Sequence, residues 1–407
     1  MGIYRHEAVR LGVRSGTIPG ITVSWGPMLK IKVAILAACS ILTIAIALTP
    51  ILAEISRAFP AASTSTIQMI TVLPGLVALP FSLIAGTIAT LITKKTMALL
   101  SMVVMMVGGL IPLAAHGSIE VLLIASGIVG AGSGFLIPVS ASLISDHFDG
   151  HERSTMMGLQ AALINTGGVI FAILGGALAQ SGWFNAYWVF VLIVPATVIV
   201  AVLLPKGQVV KTHGASGFKL NSNVVYLSLV SLIFGLLYTT FNTNVALYLD
   251  ATHLGGPGEA AIAVSCFSSI GIVAGLFFGK TMRLFQRFTL PLALGTAFVG
   301  VTLAWLGGHL VLIWAGALLV GFGLSTLMPF GVFSVTQNVP PAATSLAIAV
   351  FTAAVSLGGF ASPFVINAIA GLIGDGGVKV RYLVAAVGLA ILATVVMARE
   401  MRGRSQS

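Results

Sequence analysis

Apolar residues in this chain come in long blocks. Twelve stretches of membrane-spanning length, separated by short polar breaks, fill the sequence from Lys30 to Arg399. Each is close to the ~20 residues that a helix needs to cross a hydrocarbon core of ~30 Å. The pattern predicts spans near 32–54, 67–92, 96–115, 119–143, 155–179, 184–204, 224–249, 259–279, 289–307, 310–335, 343–371 and 379–398. Two breaks are faint, Gly117-Ser118 and Gly307-Gly308-His309, so hydropathy alone also admits ten or eleven helices.

Composition makes lipid the solvent: 57% of residues are hydrophobic and 7% charged, a balance that a water-soluble domain of this length does not tolerate. Charge then sets the topology. With an even helix count and a cytoplasmic amino terminus, only Arg57, Lys379 and Arg381 of the 20 basic residues fall outside, as the positive-inside bias requires. The formal charge of +10 is therefore read as orientation toward an anionic bilayer face. The lipid bilayer is the expected partner, and nucleic acid is not. The expected location is the cell membrane with both termini cytoplasmic.

Residues 1–29 lack the apolar core of a signal peptide and are expected to be a cytoplasmic tail, as are residues 399–407. Cys39 and Cys266 lie in separate spans and are read as packing residues, with neither a metal pair nor a disulfide framework in view.

Internal similarity divides the chain in two. Gly130-Ala131-Gly132 with Pro138 recurs 191 residues later as Gly321-Phe322-Gly323 with Pro329, and Gly167-Gly168 recurs at the same offset as Gly358-Gly359. Gly86 with Lys94 recurs as Gly279 with Arg287. Four matches in chain order at nearly one offset predict a six-helix unit in each half: 30–204 and 224–398, joined by the polar linker 205–223. Because apolar burial does not drive helices together in lipid, close backbone approach supplies packing energy. Gly130 with Gly134, and Gly271, Gly275 and Gly279, are accordingly expected to mark tight contact faces.

The arrangement resembles the major facilitator superfamily. The family's loop pattern G-x-L-a-D-r-x-G-R-K is met by Gly86, Ile88, Ala89, Lys94 and Lys95, with Thr90 and Thr93 replacing its Asp and second Gly. Its R-x-x-x-G-x-G element is met from Ser126, which stands in for the arginine, to Gly130 and Gly132. The G-P-x-L-G-G element keeps Leu174, Gly175 and Gly176 but lacks its Gly-Pro. Glu152-Arg153 and Gly182-Trp183 also fit, and the nearest look is to the twelve-helix drug-efflux-like group. The resemblance implies an all-α membrane protein of twelve transmembrane helices in two pseudo-symmetric six-helix bundles, with a midplane solute site and rocking-bundle access.

Polar side chains on the helices that line such a cavity are the candidate solute-binding residues: Thr43, Ser126, Ser133, Tyr238, Asn242 and Trp314, with Asn165 on span five. An unbonded amide in hydrocarbon costs several kcal/mol, so Asn242, sharing a helical face with Tyr238, and Asn165 are either interhelical ties or cavity groups. The serine and threonine hydroxyls can instead bond their own helix carbonyls. Gly86, Lys94, Asp146, Arg153, Gly279 and Arg287, at the cytoplasmic helix ends, are the candidate gating residues, with Asp146, Lys94 and Arg153 expected to bridge when that side closes.

Every Asp and Glu falls in a loop, a tail or a helix end, and no His lies mid-span. The midplane thus offers no titratable group of the kind proton-coupled carriers use. Glu54 and Asp250 are the rim acids. No catalytic triad, metal-ligand motif or phosphate loop is present, and the one acid/base cluster, Asp146 to Arg153, reads as a solvated loop or, less simply, a metal loop. No cofactor is expected. The leading reading is a carrier of a small organic solute, neutral or predominantly apolar, with diffuse organic cations second and efflux the favoured direction. A membrane enzyme, and a lipid flippase or non-transporting sensor on the same fold, are the rivals. A monomer is the expected state.

Overall fold

The computed structural model describes residues 26–89, 91–205, 221–337, 339 and 344–402. Most of both expected tails, Thr90 and most of the expected linker lie outside the described residues, while 27–29 and 399–402 belong to the first and last helices. The first crossing is composite: α1 (Pro27–Ser40) continues as a 3-10 segment, Ile44–Ile51, and a short helix, Leu52–Ala58. It is followed by α2 (Thr64–Ile88), α3 (Lys94–Ala114), α4 (Ile119–His147) and α5 (Gly150–Ala179). A 3-10 segment, Trp183–Leu192, runs into α6 (Ile193–Leu203). The second half comprises α7 (Ser222–Ala251), α8 (Pro257–Phe285), α9 (Thr289–Leu306), α10 (Leu310–Gln337), α11 (Thr344–Ile373) and α12 (Val378–Arg402).

Among the described residues, eleven helical segments are long and apolar enough to cross a membrane, and one of them, Pro257–Leu306, is 50 residues long. A straight helix of that length would measure ~75 Å, far beyond a bilayer core. It is two crossings, because the chain reverses at Gln286, which sits at φ +45°, and α9 packs back on α10 and α12. The two faint breaks are real turns. Gly307 and Gly308 both take positive φ, a conformation other residues adopt only with strain, and the chain is non-helical from Ala115 to Ser118.

Local chemistry explains the helix ends. Ser63 and Thr93 accept from the amides of Thr66 and Thr96 and so cap α2 and α3, meeting donors that a helix start leaves open. Lys95 Nζ donates to the Ala201 and Leu204 carbonyls at the end of α6, bringing a cation to the negative pole of that helix.

The repeated glycines perform the same task in each half. A side chain at Gly130 or Gly134 would strike the α2 backbone at Pro74 or Ala78, and one at Gly321 would strike Phe267 of α8. Gly132 faces the Ser101 carbonyl of α3 as Gly323 faces the Ala293 carbonyl of α9, and Gly167 faces the Ser40 carbonyl of α1 as Gly358 faces Leu232 of α7. The 191-residue repeat is thus visible as equivalent backbone contacts. Between halves, α5 packs on α8 and α2 on α11.

The contact face expected along α8 is shorter than its glycine spacing suggests. Gly271 abuts Asn165 of α5, but Gly275 and Gly279 face open space, because the halves diverge beyond that level. The symmetry is also broken at α1: Pro50 lies within its 3-10 segment, whereas α7 is helical throughout. Pro50 has no N–H to offer the Ala47 carbonyl three residues back, and that carbonyl lies against Gly175 of α5.

Replacing Gly358 by Ala is expected to lower the thermal unfolding midpoint in detergent, with an overpacking cost of about 1–3 kcal/mol. Gly295→Ala, where nothing lies nearby, should stay within about 0.5 kcal/mol of the parent. Equal midpoints for the two variants would contradict the close-packing account.

Candidate functional site

A cavity of about 330 Å³ lies between the halves. Ile46 and Thr49 of the 3-10 segment, Thr71 and Gly75 of α2, Tyr238 and Asn242 of α7, Phe267 of α8, Leu324 of α10, and Ser356 and Phe360 of α11 all line it. No charged residue among the described ones does. Thr71 and Thr243 spend their hydroxyls on helix carbonyls, Gln68 O at 3.0 Å and Thr239 O at 3.1 Å. Asn242 does not: its Oδ1 is buried with no hydrogen-bond partner. The Tyr238 ring stacks on Phe234 at 5.1 Å and lies parallel to Phe267 at 6.4 Å, so two neighbouring rings fix its orientation.

The other candidate residues stand elsewhere. Thr43 Oγ1 donates to the Ile164 carbonyl of α5 at 3.0 Å and ties the broken helix to its own half. Ser126 is buried beside Tyr187 and Phe190 inside the first half, its hydroxyl unpartnered. Ser133 bonds the Gly130 carbonyl of its own helix at 3.0 Å. Trp314 Nε1 donates to Glu259 O at 3.4 Å, joining α10 to the start of α8. None of the four lines the cavity. Asn165 sits at the contact between halves: its Nδ2 bonds Ala161 O at 3.0 Å, and its Oδ1 fills the space over Gly271.

At the end of the bundle away from the chain termini, the halves are bonded together. Gln68, fully buried, donates to Thr243 O at 3.2 Å and to Asn244 Oδ1 at 2.9 Å, and accepts from Asn367 Nδ2 at 2.9 Å. Asn367 Nδ2 also reaches Ser65 Oγ at 2.9 Å, and Ser65 donates to Pro363 O at 3.0 Å. Arg381 Nη1 donates to Asn244 Oδ1 at 3.1 Å. An ion pair between Arg57 and Asp250 crosses the same end. Asp250, expected as a rim acid, is thus engaged between halves. Nearby Glu54 keeps one buried carboxylate oxygen without a partner.

The Arg381 guanidinium polarises the whole relay. It can only donate, so the Asn244 oxygen must face it; Gln68 must then present its NH₂ to that oxygen and its own oxygen to Asn367. The Asn367 oxygen is left over, and it is indeed buried and unpartnered. Gln68, Asn367 and Arg381 are not among the expected site residues.

The terminus-bearing end holds no such ties among the described residues. Its ion pairs stay within the first half: Lys94 with Asp146 at 2.5 Å and Lys32 with Glu152 at 2.6 Å. Lys94 and Asp146, two of the three charges expected to bridge, are thus paired, while Arg153 stands exposed in α5. The two ion pairs also assign two acids of the Asp146–Arg153 cluster to lysines. Gly86 and Gly279 border open space, and Arg287 lies over the Phe288 ring at 5.1 Å. Among the described residues, the cavity is thus bonded shut at one end and carries no such bond between halves at the other.

Comparison with known proteins agrees with this architecture. The sequence model described as Major Facilitator Superfamily matches residues 33–363 and 227–405. The chain is 27% identical over 124 residues to the multidrug transporter protein MdtP of Bacillus subtilis, a stretch covering 30% of this chain and 22% of MdtP. It is 27% identical over 216 residues to the quinolone resistance protein NorA of Staphylococcus aureus, covering 50% of this chain and 55% of NorA. The matched stretches therefore span about half or less of these relatives. In fold, the nucleoside transporter NupG superposes with a TM-score of 0.73 at 14% identity, over 92% of this chain and 99% of NupG. A bacterial homologue of the lysosomal transporter Spinster, inward-facing and unoccupied, gives 0.70 at 16% identity, over 95% and 98%.

The relay gives a ranking of closure. Gln68→Leu removes three hydrogen bonds that join the halves, each worth about 0.5–1.5 kcal/mol. It should raise labelling of a Thr71→Cys cavity probe, by impermeant maleimide from the end opposite the termini, about tenfold or more. Asp250→Asn breaks an exposed pair worth about 0–1 kcal/mol and should raise it less than about fivefold. The reverse order would show that the ion pair, not the relay, holds that end.

Proposed function

Because the chain belongs to the Major Facilitator Superfamily, a family of multi-pass membrane transporters of small solutes, we propose that it moves a neutral or predominantly apolar organic solute by alternating access between its two halves. The observation that carries this reading is the uncharged cavity. An ion brought there without a partner would cost at least the ~2.5–3.5 kcal/mol that insertion scales assign to a charged side chain at the bilayer centre. Aromatic and aliphatic walls with a few polar groups are the usual lining of a small-molecule pocket.

The charge distribution supports cytoplasmic termini in a cell membrane. With that orientation, the unlatched end is the inner one, an arrangement in keeping with the inward-facing Spinster homologue. Outward movement of the solute is the direction favoured by the names of MdtP and NorA, a multidrug transporter and a quinolone resistance protein. The relay and the Arg57–Asp250 pair would then close the outer side, and transport would require their rupture.

Purified protein in proteoliposomes, tested with labelled neutral, cationic and anionic solutes with and without a pH gradient, is expected to move the neutral set. Asn242→Ala and Tyr238→Phe should each slow that movement. Transport confined to carboxylates or phosphates, or unaffected by both substitutions, would refute the reading. For orientation, cysteines placed singly at Ser216 and Gly256 should react with an impermeant reagent from opposite sides of the membrane; reaction from one side would refute the topology.

A further inference from the structure

Resting on the carrier reading above, we propose that the solute class is a flat, uncharged ring system with a hydrogen-bond donor and acceptor side by side on one edge, as in a lactam or amino-heterocycle. It lies on the Tyr238 ring and is read by the Asn242 amide.

Three observations converge on that shape. Tyr238 and Phe267 come from different helices, α7 and α8, yet their ring planes agree to within 2°. Both line the cavity, so a flat solute laid on one ring is aligned with the other, in the offset arrangement aromatic pairs prefer. Phe234, fully buried, stacks behind Tyr238 at 22° and holds it in that plane.

Asn242 follows Tyr238 by four residues, about one turn and ~6 Å along α7 on the same face. The amide therefore stands at the edge of a ring resting on Tyr238 rather than over its face. A primary carboxamide presents an acceptor and a donor side by side. It pairs in two hydrogen bonds with an edge that presents the converse, which is how Asn and Gln read adenine. The Asn242 oxygen has no protein donor.

The remaining lining narrows the class. Thr71 and Thr243 are committed to helix carbonyls, and the other polar side chains on the wall besides Asn242 are hydroxyls, those of Thr49, Thr239, Ser356 and Tyr238. The absence of charge from the cavity wall disfavours carboxylates. A volume of about 330 Å³ is at the lower end of small-molecule sites and suits two or three fused rings.

The test measures equilibrium binding to the full-length purified protein of three probes: isocarbostyril, a flat bicyclic lactam; its N-methyl derivative, which keeps the plane and loses the donor; and its perhydro form, which keeps the lactam and loses the plane. Isocarbostyril is expected to bind at least about tenfold tighter than either relative, a margin consistent with one lost hydrogen bond beside an amide left unpaired. Asn242→Leu should abolish the preference over the N-methyl compound while leaving that compound's affinity unchanged. Tyr238→Leu should weaken both flat probes and spare the perhydro one, and an unaltered thermal midpoint of each variant would show that it is folded. Equal affinity for all three probes, binding of none, or a preference that survives Asn242→Leu would overturn the solute class. The carrier reading is judged separately, by transport of the wider solute panel, and survives such a result if other neutral solutes are moved.

Discussion

Gln68 is a carboxamide with no exposed surface, in a helix that crosses hydrocarbon. Each of its hydrogen-bonding groups must find a partner, because water is absent and an unmet group costs several kcal/mol. Its described partners are all in the other half of the molecule: Thr243, Asn244 and Asn367. That requirement pins α2 of the first half between α7 and α11 of the second, just beyond the cavity. It also gives the closure a discrete character, since partial opening would strand several buried groups at once. A relay of this kind suits a barrier between two states better than an apolar seam, whose area can be surrendered gradually.

The same scarcity of driving force in lipid explains the glycines. Helices of like polarity gain little by leaving one lipid-facing arrangement for another, so contact geometry decides which ones pair. Gly130, Gly134 and Gly167 seat one half, Gly321, Gly323 and Gly358 the other, each against a backbone that a methyl group would strike. The two bundles are therefore rigid by construction. Between them, the close seats are few: Gly168 against Ser268, Gly176 against Pro257 and Ala261, and Gly271 against Asn165. All lie at or beyond the middle of α5 and α8, and the open space at Gly275 and Gly279 is where that seam ends. Among the described residues, two crossings depart from regular helix: the sixth begins with the 3-10 segment Trp183–Leu192, and in the first a 3-10 segment carrying Ile46 and Thr49 runs from the cavity wall toward Arg57 of the closure. Longer stretches of 3-10 helix are uncommon and mid-helix ones often mark hinges, and its symmetry partner in α7 is regular.

Much of this is legible in the sequence because it is written in periodic or compositional form. Span lengths, the 191-residue repeat and the cavity position of Tyr238 and Asn242 follow from hydropathy, spacing and the family resemblance. The far-end closure does not follow, because a single Gln or Asn within an apolar block barely changes hydropathy, and Gln68 and Asn367 lie on helices two and eleven, which carry none of the expected solute-binding residues. A signal is present nonetheless. Of the three basic residues that defy the charge bias, Arg57 and Arg381 are both in the closure. Thr43 and Trp314 lie on elements that do reach the cavity, but the face each one presents is fixed by helix rotation and by the unwinding of α1, which spacing from a family pattern does not specify. Ser126 and Ser133 lie on α4, from which no described residue lines it.

The central claim is that two rigid halves exchange one closed end for the other and that the buried Gln68 relay sets the balance. Distances between paired spin labels test it most directly, with one pair at Met157→Cys and Leu276→Cys near the terminus-bearing end and a second at Ser63→Cys and Ala251→Cys at the other. In the Gln68→Leu background the first distance should shorten and the second lengthen together, in the same fraction of molecules. Unchanged distributions for both pairs, or lengthening of the second pair without shortening of the first, would contradict it.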